Sequence, residues 1–297
     1  MLHLGTQTHT TVDLGSPVAL SEADRAHGIY ILGKSGTGKS TLLENFMQQD
    51  AEQGLGFCLI EPHRDLLDRS LQHISEDRIK NTVVIDLADV DHPVPFNVLA
   101  GYHGDEYRYI RPYIVSTLIT ALKKIYADNR SATRMERVLR HTIAALLEYP
   151  HATLLSIPRM LTEKQYRHDV LEHVTDPVTR HYWRNEYEKK PSRQKSEITE
   201  PILNRIEQLF MHPLLRHVLC QPKNTFDLKI LMDSNGILLV NLASGTVGEE
   251  ATFLGSMLIS YLYSNALRRD PMSTPPPFTC YILRIDTLNR QALANQC

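Results

Sequence analysis

"GIYILGKSGTGKSTLLENFM", Gly28 to Met47, runs from an apolar stretch through a glycine-rich turn into a helical pattern. Its centre, "GKSGTGKS", matches G-x-x-x-x-G-K-[ST] at Gly33, Gly38, Lys39 and Ser40, with an additional glycine at Gly36. Glycines let the backbone fold so that successive N–H groups converge on one anion. A helix starting at that point adds the positive end of its dipole. The loop Gly33, Lys34, Ser35, Gly36, Thr37, Gly38, Lys39, Ser40 and Thr41 is therefore the candidate nucleotide grip. Lys39 is placed to meet terminal phosphates, and the Ser40 hydroxyl suits Mg²⁺. A nucleoside triphosphate with Mg²⁺ is the expected ligand. The apolar stretch "GIYIL" reads as a buried strand entering the loop.

Outward from the loop, "GFCLIE" at 56–61 and "TVVID" at 82–86 read as further buried strands. Helical patterns lie between them, from Lys39 to about Gln53 and from Asp65 to about Ile74, with Gly54 as a helix stop. Strands alternating with helices imply parallel pairing and an α/β sheet. From about 105 to 230 the pattern is helical. Ile114, Leu118, Ile119, Leu122 and Ile125 recur at helical spacing, as do Val138, Leu139, Ala145 and Leu146. "GILLVNLA" at 236–243 restores a strand, a long helix around 250–267 follows, and "PMSTPPPF" leads into "FTCYIL". The expected division is a nucleotide-binding core at 1–104, a helical insertion at 105–232, the core continued at 233–282, and a divergent tail at 283–297.

The 297 residues are ordinary in bulk, with 42% hydrophobic and 22% charged residues and a net charge of -2. No global basic field points to nucleic acid, so any such contact would be local. Basic clusters at Lys123–Lys124, Arg134–Arg137–Arg140 and Lys189–Lys190–Arg193 are candidates, although a solvated helix face is the better reading of each. Four scattered cysteines and fourteen histidines carry no metal-ligand spacing, which fits a reduced, cytoplasmic chain. No apolar run reaches the roughly 18–20 residues of a membrane span.

Hydrolysis needs carboxylates at strand ends to hold the Mg²⁺ shell and orient water. Glu61, Asp86 and Asp286 all end apolar runs, and periodicity does not choose among them. In "EPHRD", Glu61, His63 and Asp65 lie where parallel sheets bind ligands, but the segment could merely cap the next helix, with Asp65 at its N-terminus.

Several of these segments resemble the HerA/FtsK superfamily of DNA-pumping ATPases, nearest its type IV secretion, TraG/TraD-like coupling-protein branch. "ADRAHGIYILGKSGTGKSTLLENFM" resembles that family's entry to the phosphate loop. "LIEPHRDLLD" is similar to its Asp-Pro-His-Gly-Asp segment, with Glu61 for Asp and Arg64 for Gly. "NTVVIDLADVDHPVPFNVL", "ATLLSIPRMLTE", "VTDPVTRHYWRNEY", "PILNRIEQLFMHPLLRHVLCQP" and "GILLVNLASGTVGEE" resemble later segments. The resemblance spans roughly residues 20 to 282 and implies a RecA-like core with a helical insertion. It further implies ATP as the nucleotide, ATP-driven hexamers that move DNA, secretion-complex partners at the inner membrane, and arginines supplied by a neighbouring subunit. Glu61, His63 and Asp65 become phosphate-side candidates.

The resemblance also implies a Walker B Asp-Glu directly after "PPPFTCYI", where this chain has Leu283 and Arg284. The catalytic carboxylates are therefore unassigned, and the C-terminal part of the core is missing from the pattern. The expectation is a truncated or frame-shifted family member that binds ATP without hydrolysing it. A non-functional gene fragment, a nucleotide-holding subunit that docks on an intact partner, and a small-molecule P-loop kinase stand as alternatives.

Overall fold

The computed structural model of the protein describes residues 1–8, 15–102, 104, 107–123, 132–248, 250–269 and 274–283. The continuous apolar runs become neighbouring strands: β3 (Gly56–Glu61), β4 (Thr82–Asp86), β5 (Ile237–Asn241) and β6 (Phe278–Ile282) form one sheet in the order β4-β5-β3-β6. β3 pairs parallel with both β5 and β6, placing Glu61 beside Asn241 and Ile60 beside Ile282. Every residue of β3 and β5 is buried. That explains why these strands carry no polar alternation. The α/β core and parallel pairing match the expected fold class.

Two further strands, β1 (Leu2–Thr6) and β2 (Pro17–Leu20), make a small antiparallel pair that the sequence reading did not include. Leu2 enters the core cluster formed by Phe46, Met47, Phe57, Leu59 and Leu239. His3 and Gln49 exchange hydrogen bonds of 2.7 and 3.0 Å, fastening β1 to the helix after the glycine loop.

By contact density the chain forms two units. One comprises residues 1–85, 227–245 and 268–297, and the other residues 86–226 and 246–267. Residues 86–104 and 246–267, expected in the nucleotide-binding core, thus group with the helices.

The first unit contains α1 (Glu22–Ala26), α2 (Lys39–Glu52), α3 (Asp65–Leu71) and α4 (Glu76–Ile79). A Schellman turn ends α2: Gly54 adopts φ 72°, its N–H donates to Ala51, and the Leu55 N–H donates to Asp50. Arg78 then clamps the region by donating to the carbonyls of Ala51, Leu55 and Asn235. Where β3 begins, a Cβ on Gly56 would lie 2.8 Å from the Gly236 oxygen and 2.9 Å from the Asn235 Cα. Backbone cannot rotate away as a side chain can. Gly56→Ala is therefore expected to cost about 1–3 kcal/mol of stability, read by denaturant unfolding.

The second unit is helical, and no strand lies between 105 and 226 among the described residues. α5 (Arg111–Lys123) and α6 (Ala132–Glu148) pack together, and the helix Glu250–Ala266 packs on α5. The apolar positions read at helical spacing are buried here, except Ile125, which lies outside the described residues. A π-helical turn at Tyr182–Tyr187 buries Tyr182, Trp183 and Tyr187 together. The Trp183 Nε1–H donates to the His141 carbonyl, as suits a packing anchor with a polar handle.

One expectation fails. Residues 28–32, read as a buried strand, have no regular secondary structure. Ile29, Tyr30 and Leu32 are 46%, 60% and 77% exposed. A strand is completed by its neighbour's hydrogen bonds. Among the described residues the sheet ends at β6, whose ladder partner is β3, and no strand pairs with 28–32.

Candidate functional site

The glycine loop is held open by its own backbone. Gly36 and Gly38 adopt φ of 77° and 87°, a region that L side chains rarely adopt, and a Cβ at either would point into open space. Gly33 is required for a different reason: a Cβ there would sit 2.6 Å from Thr37 Oγ1. Thr37 folds back to donate its hydroxyl to the Lys34 carbonyl at 2.8 Å. Gly38 is the N-cap of α2, and no side chain caps that end. The first N–H groups of a 14-residue helix therefore face the loop with the dipole's positive end behind them.

The Lys39 ammonium donates to the carbonyls of Gly33 (2.8 Å) and Lys34 (2.7 Å), lying back across its own loop. Ser40 is the second residue of α2, half-buried beside it. Backbone N–H groups, one ammonium and one hydroxyl form a donor set that fits a polyphosphate with a magnesium ion. The open space above Gly36 and Gly38 leaves that approach clear.

Glu61, His63 and Asp65 separate. Glu61 ends β3 and is buried, whereas His63 and Asp65 are exposed. Glu61 Oε1 accepts the Leu67 N–H at 2.6 Å, so it caps the start of α3. Asp65 is the first residue of α3, at the helix start where the sequence reading placed it. Burial pushes the Glu61 carboxyl up to about 7, against the opposing pull of the Leu67 and Leu66 N–H groups; Asp65 raises it further and Arg69 lowers it.

A carboxyl raised in the folded state favours the protonated form. Its contribution to stability is complete below its ordinary value of 4.5 and is lost as pH rises through about 7. Glu61→Gln keeps an acceptor for Leu67 and cannot ionise. Thermal midpoints of the wild type are expected to fall from pH 4.5 to pH 7 relative to those of Glu61→Gln. Parallel pH profiles would show that another group titrates.

The remaining strand-end acids and amides close turns. Asp86 accepts the Ala88 N–H at 2.8 Å, and Asn241 accepts the Ala243 N–H at 2.9 Å. Asn97 lies in the helical unit, accepts the Leu99 N–H at 3.0 Å and donates to the Ala152 carbonyl at 2.8 Å. After β6 the chain places Leu283, whose N–H donates to the Ile60 carbonyl and whose side chain packs on the core cluster. The strand-end position expected to hold the first Walker B acid thus carries an apolar side chain. Arg284 and Asp286 lie outside the described residues.

In the basic clusters, Arg137 pairs with Glu186, Arg140 with Glu136 and Arg193 with Glu197. These three charges are balanced within the helical unit. Lys124 and the Lys123 side chain lie outside the described residues.

The polar centre that the sequence reading missed lies at the C-terminal end of α2, away from the loop. Arg25 of α1 makes a two-pronged pair with Asp50 of α2, at 2.8 and 2.7 Å, and donates to Thr279 Oγ1 of β6 at 2.7 Å. The Tyr281 hydroxyl donates to the same Asp50 carboxylate at 2.6 Å. Asp50 is fully buried. Burial and the Asp50 charge push the Tyr281 hydroxyl well above the usual phenol range. This network ties the loop's helix to β6. In the sequence Asp50 stands in the polar stretch "QQDAE", so its burial had no local sign.

The fold of the chain has counterparts among solved structures. The bacterial conjugative coupling protein TrwB, in an unbound form lacking its N-terminal segment, superposes with a TM-score of 0.57 at 15% identity, covering 89% of this chain and 58% of that one. The chain has the fold of TrwB. The plasmid coupling protein TrwB in complex with ADP and Mg²⁺ matches with a TM-score of 0.56 at 16% identity, over 89% of this chain and 59% of that one. The same protein with the ATP analogue ADPNP matches at 0.54 and 15% identity. This chain therefore spans somewhat under three-fifths of the TrwB chains it matches. No family model matches the sequence, and no curated protein matches it.

Proposed function

We propose that this chain is an ATP-binding subunit of the conjugative coupling-protein type, within the HerA/FtsK class of P-loop ATPases, and that alone it hydrolyses ATP slowly or not at all. The observation that carries the nucleotide reading is the loop itself: two glycines at positive φ, an uncapped helix start, Lys39 and Ser40. TrwB, which shares the fold, is known in complex with ADP and Mg²⁺. In this reading Gly33 to Thr41 cradle the phosphates, Lys39 moves from its own carbonyls to the terminal phosphates, and Ser40 supplies the hydroxyl for Mg²⁺. The site lies in a nucleotide-binding core interrupted by a helical insertion. DNA, identical subunits in a hexamer, and a secretion complex at the cytoplasmic face of a membrane are the proposed partners. No described helix is long and apolar enough to cross a membrane.

The weak turnover follows from Leu283, which cannot bind a Mg²⁺ shell or orient water. One observation favours a second reading, in which turnover survives. Glu61 ends the strand beside β6, carries a carboxyl poised near neutral pH, and could serve as the acid. A phosphate-release assay with and without DNA separates the two. Release at the level of a Lys39→Ala control supports a nucleotide-holding subunit. Release that is lost in both Lys39→Ala and Glu61→Gln supports the second reading.

A further inference from the structure

Cys58 of β3 and Cys280 of β6 are register partners on adjacent parallel strands. Partners of this kind project from the same face of the sheet, with the strands about 4.8 Å apart. Disulfides bridge Cα atoms about 4.4–6.8 Å apart, so the register places these two cysteines within range. Their surroundings differ. Cys58 is fully buried, whereas Cys280 is exposed on the end strand of the sheet. Cys220, in the other unit, is half-buried, and its thiol is pushed up to about 12 by burial, which leaves it a poor nucleophile.

We propose that Cys58 and Cys280 form an intramolecular disulfide site that reacts with small-molecule disulfides of the glutathione class. The exposed Cys280 thiolate attacks one sulfur of oxidised glutathione. The glutathione S–S bond breaks, a glutathione thiolate leaves, and Cys280 carries a mixed disulfide. Cys58 Sγ then attacks Cys280 Sγ, and its proton goes to the departing second glutathione. Two cysteine thiols are oxidised and one disulfide is reduced to two thiols. Burial pushes the Cys58 thiol well up, so the second step is the slow one and the mixed disulfide builds up first. The product staples β6, which carries Thr279 and Tyr281 of the Asp50 network, to the buried strand β3. The proposal does not depend on nucleotide binding.

The test uses the full chain treated with oxidised glutathione, quenched in acid, alkylated and digested with trypsin without reduction. The tryptic peptides 40–64 and 270–284 contain Cys58 and Cys280 respectively. These two peptides are expected to appear joined as the major product, at least tenfold above untreated protein, and to separate on reduction. Cys280→Ser, at an exposed position, is expected to abolish the joined species. Cys58→Ser is expected to leave the glutathione adduct on Cys280 as the end product. If Cys58→Ser does not fold, the wild type and Cys280→Ser still decide. A wild type that stops at the Cys280 adduct, or that joins Cys280 to Cys220, Cys297 or a second chain, overturns the proposal.

Discussion

Asp50→Ala is expected to lower the unfolding midpoint of the protein by on the order of 10 °C. The carboxylate accepts two bonds from Arg25 and one from Tyr281, and it is fully out of water. The Arg25 side chain is itself only 13% exposed. Removing one member of a buried ion pair leaves the other charge desolvated without its counter-ion, a loss of about 3–5 kcal/mol. Each kcal/mol moves the midpoint of a unit this size by about 2–4 °C. Tyr281→Phe removes the bond the hydroxyl donates to Asp50 and the longer one, 3.3 Å, that it accepts from Arg25, but keeps the ring against Phe57, so about 1–2 kcal/mol is expected there. Differential scanning fluorimetry on the two variants orders them. An Asp50→Ala midpoint within a degree or two of wild type would mean that α2 is not anchored through this pair.

Lys39→Ala is expected to weaken MgATP binding by roughly a hundredfold, about 3 kcal/mol, while leaving the midpoint without ligand nearly unchanged. The two effects part because of where the ammonium lies. Its two bonds go to carbonyls of an exposed loop, which water can serve instead. A phosphate chain bound there gains a charge-assisted bond that water does not replace. Calorimetry gives the affinity, and fluorimetry without nucleotide gives the stability. A variant that binds as tightly as wild type would remove the loop from the nucleotide reading. One that unfolds on its own would make Lys39 a structural residue.

How much of this was legible in the sequence depends on how local the cause is. "GFCLIE" and "ILLVN" are buried on both faces, and their unbroken apolar runs say so directly. The Gly54 stop and the helix from Lys39 follow from residues a few positions apart. "GIYIL" has the same local pattern and is no strand, because ladder formation depends on a neighbour that the pattern cannot reveal. β1 was missed for the converse reason: "LHLGT" is short and half polar, and it becomes a strand by pairing with Pro17–Leu20 and fastening to Gln49.

The site divides the same way. Lys39 and Ser40 sit in an eight-residue pattern whose chemistry is self-contained. Glu61 was legible as a strand-end acid, but not as the cap of α3, since that depends on the turn at Pro62–Arg64. Arg25, Asp50 and Tyr281 are brought together across as many as 256 residues of sequence, and nothing local marks them as partners.

The central claim is that this loop holds ATP with magnesium. Isothermal titration of MgATP into the wild-type chain tests it most directly. The expected result is saturable binding at one site per chain that requires Mg²⁺. No saturable heat, or binding unchanged when magnesium is chelated, would contradict it.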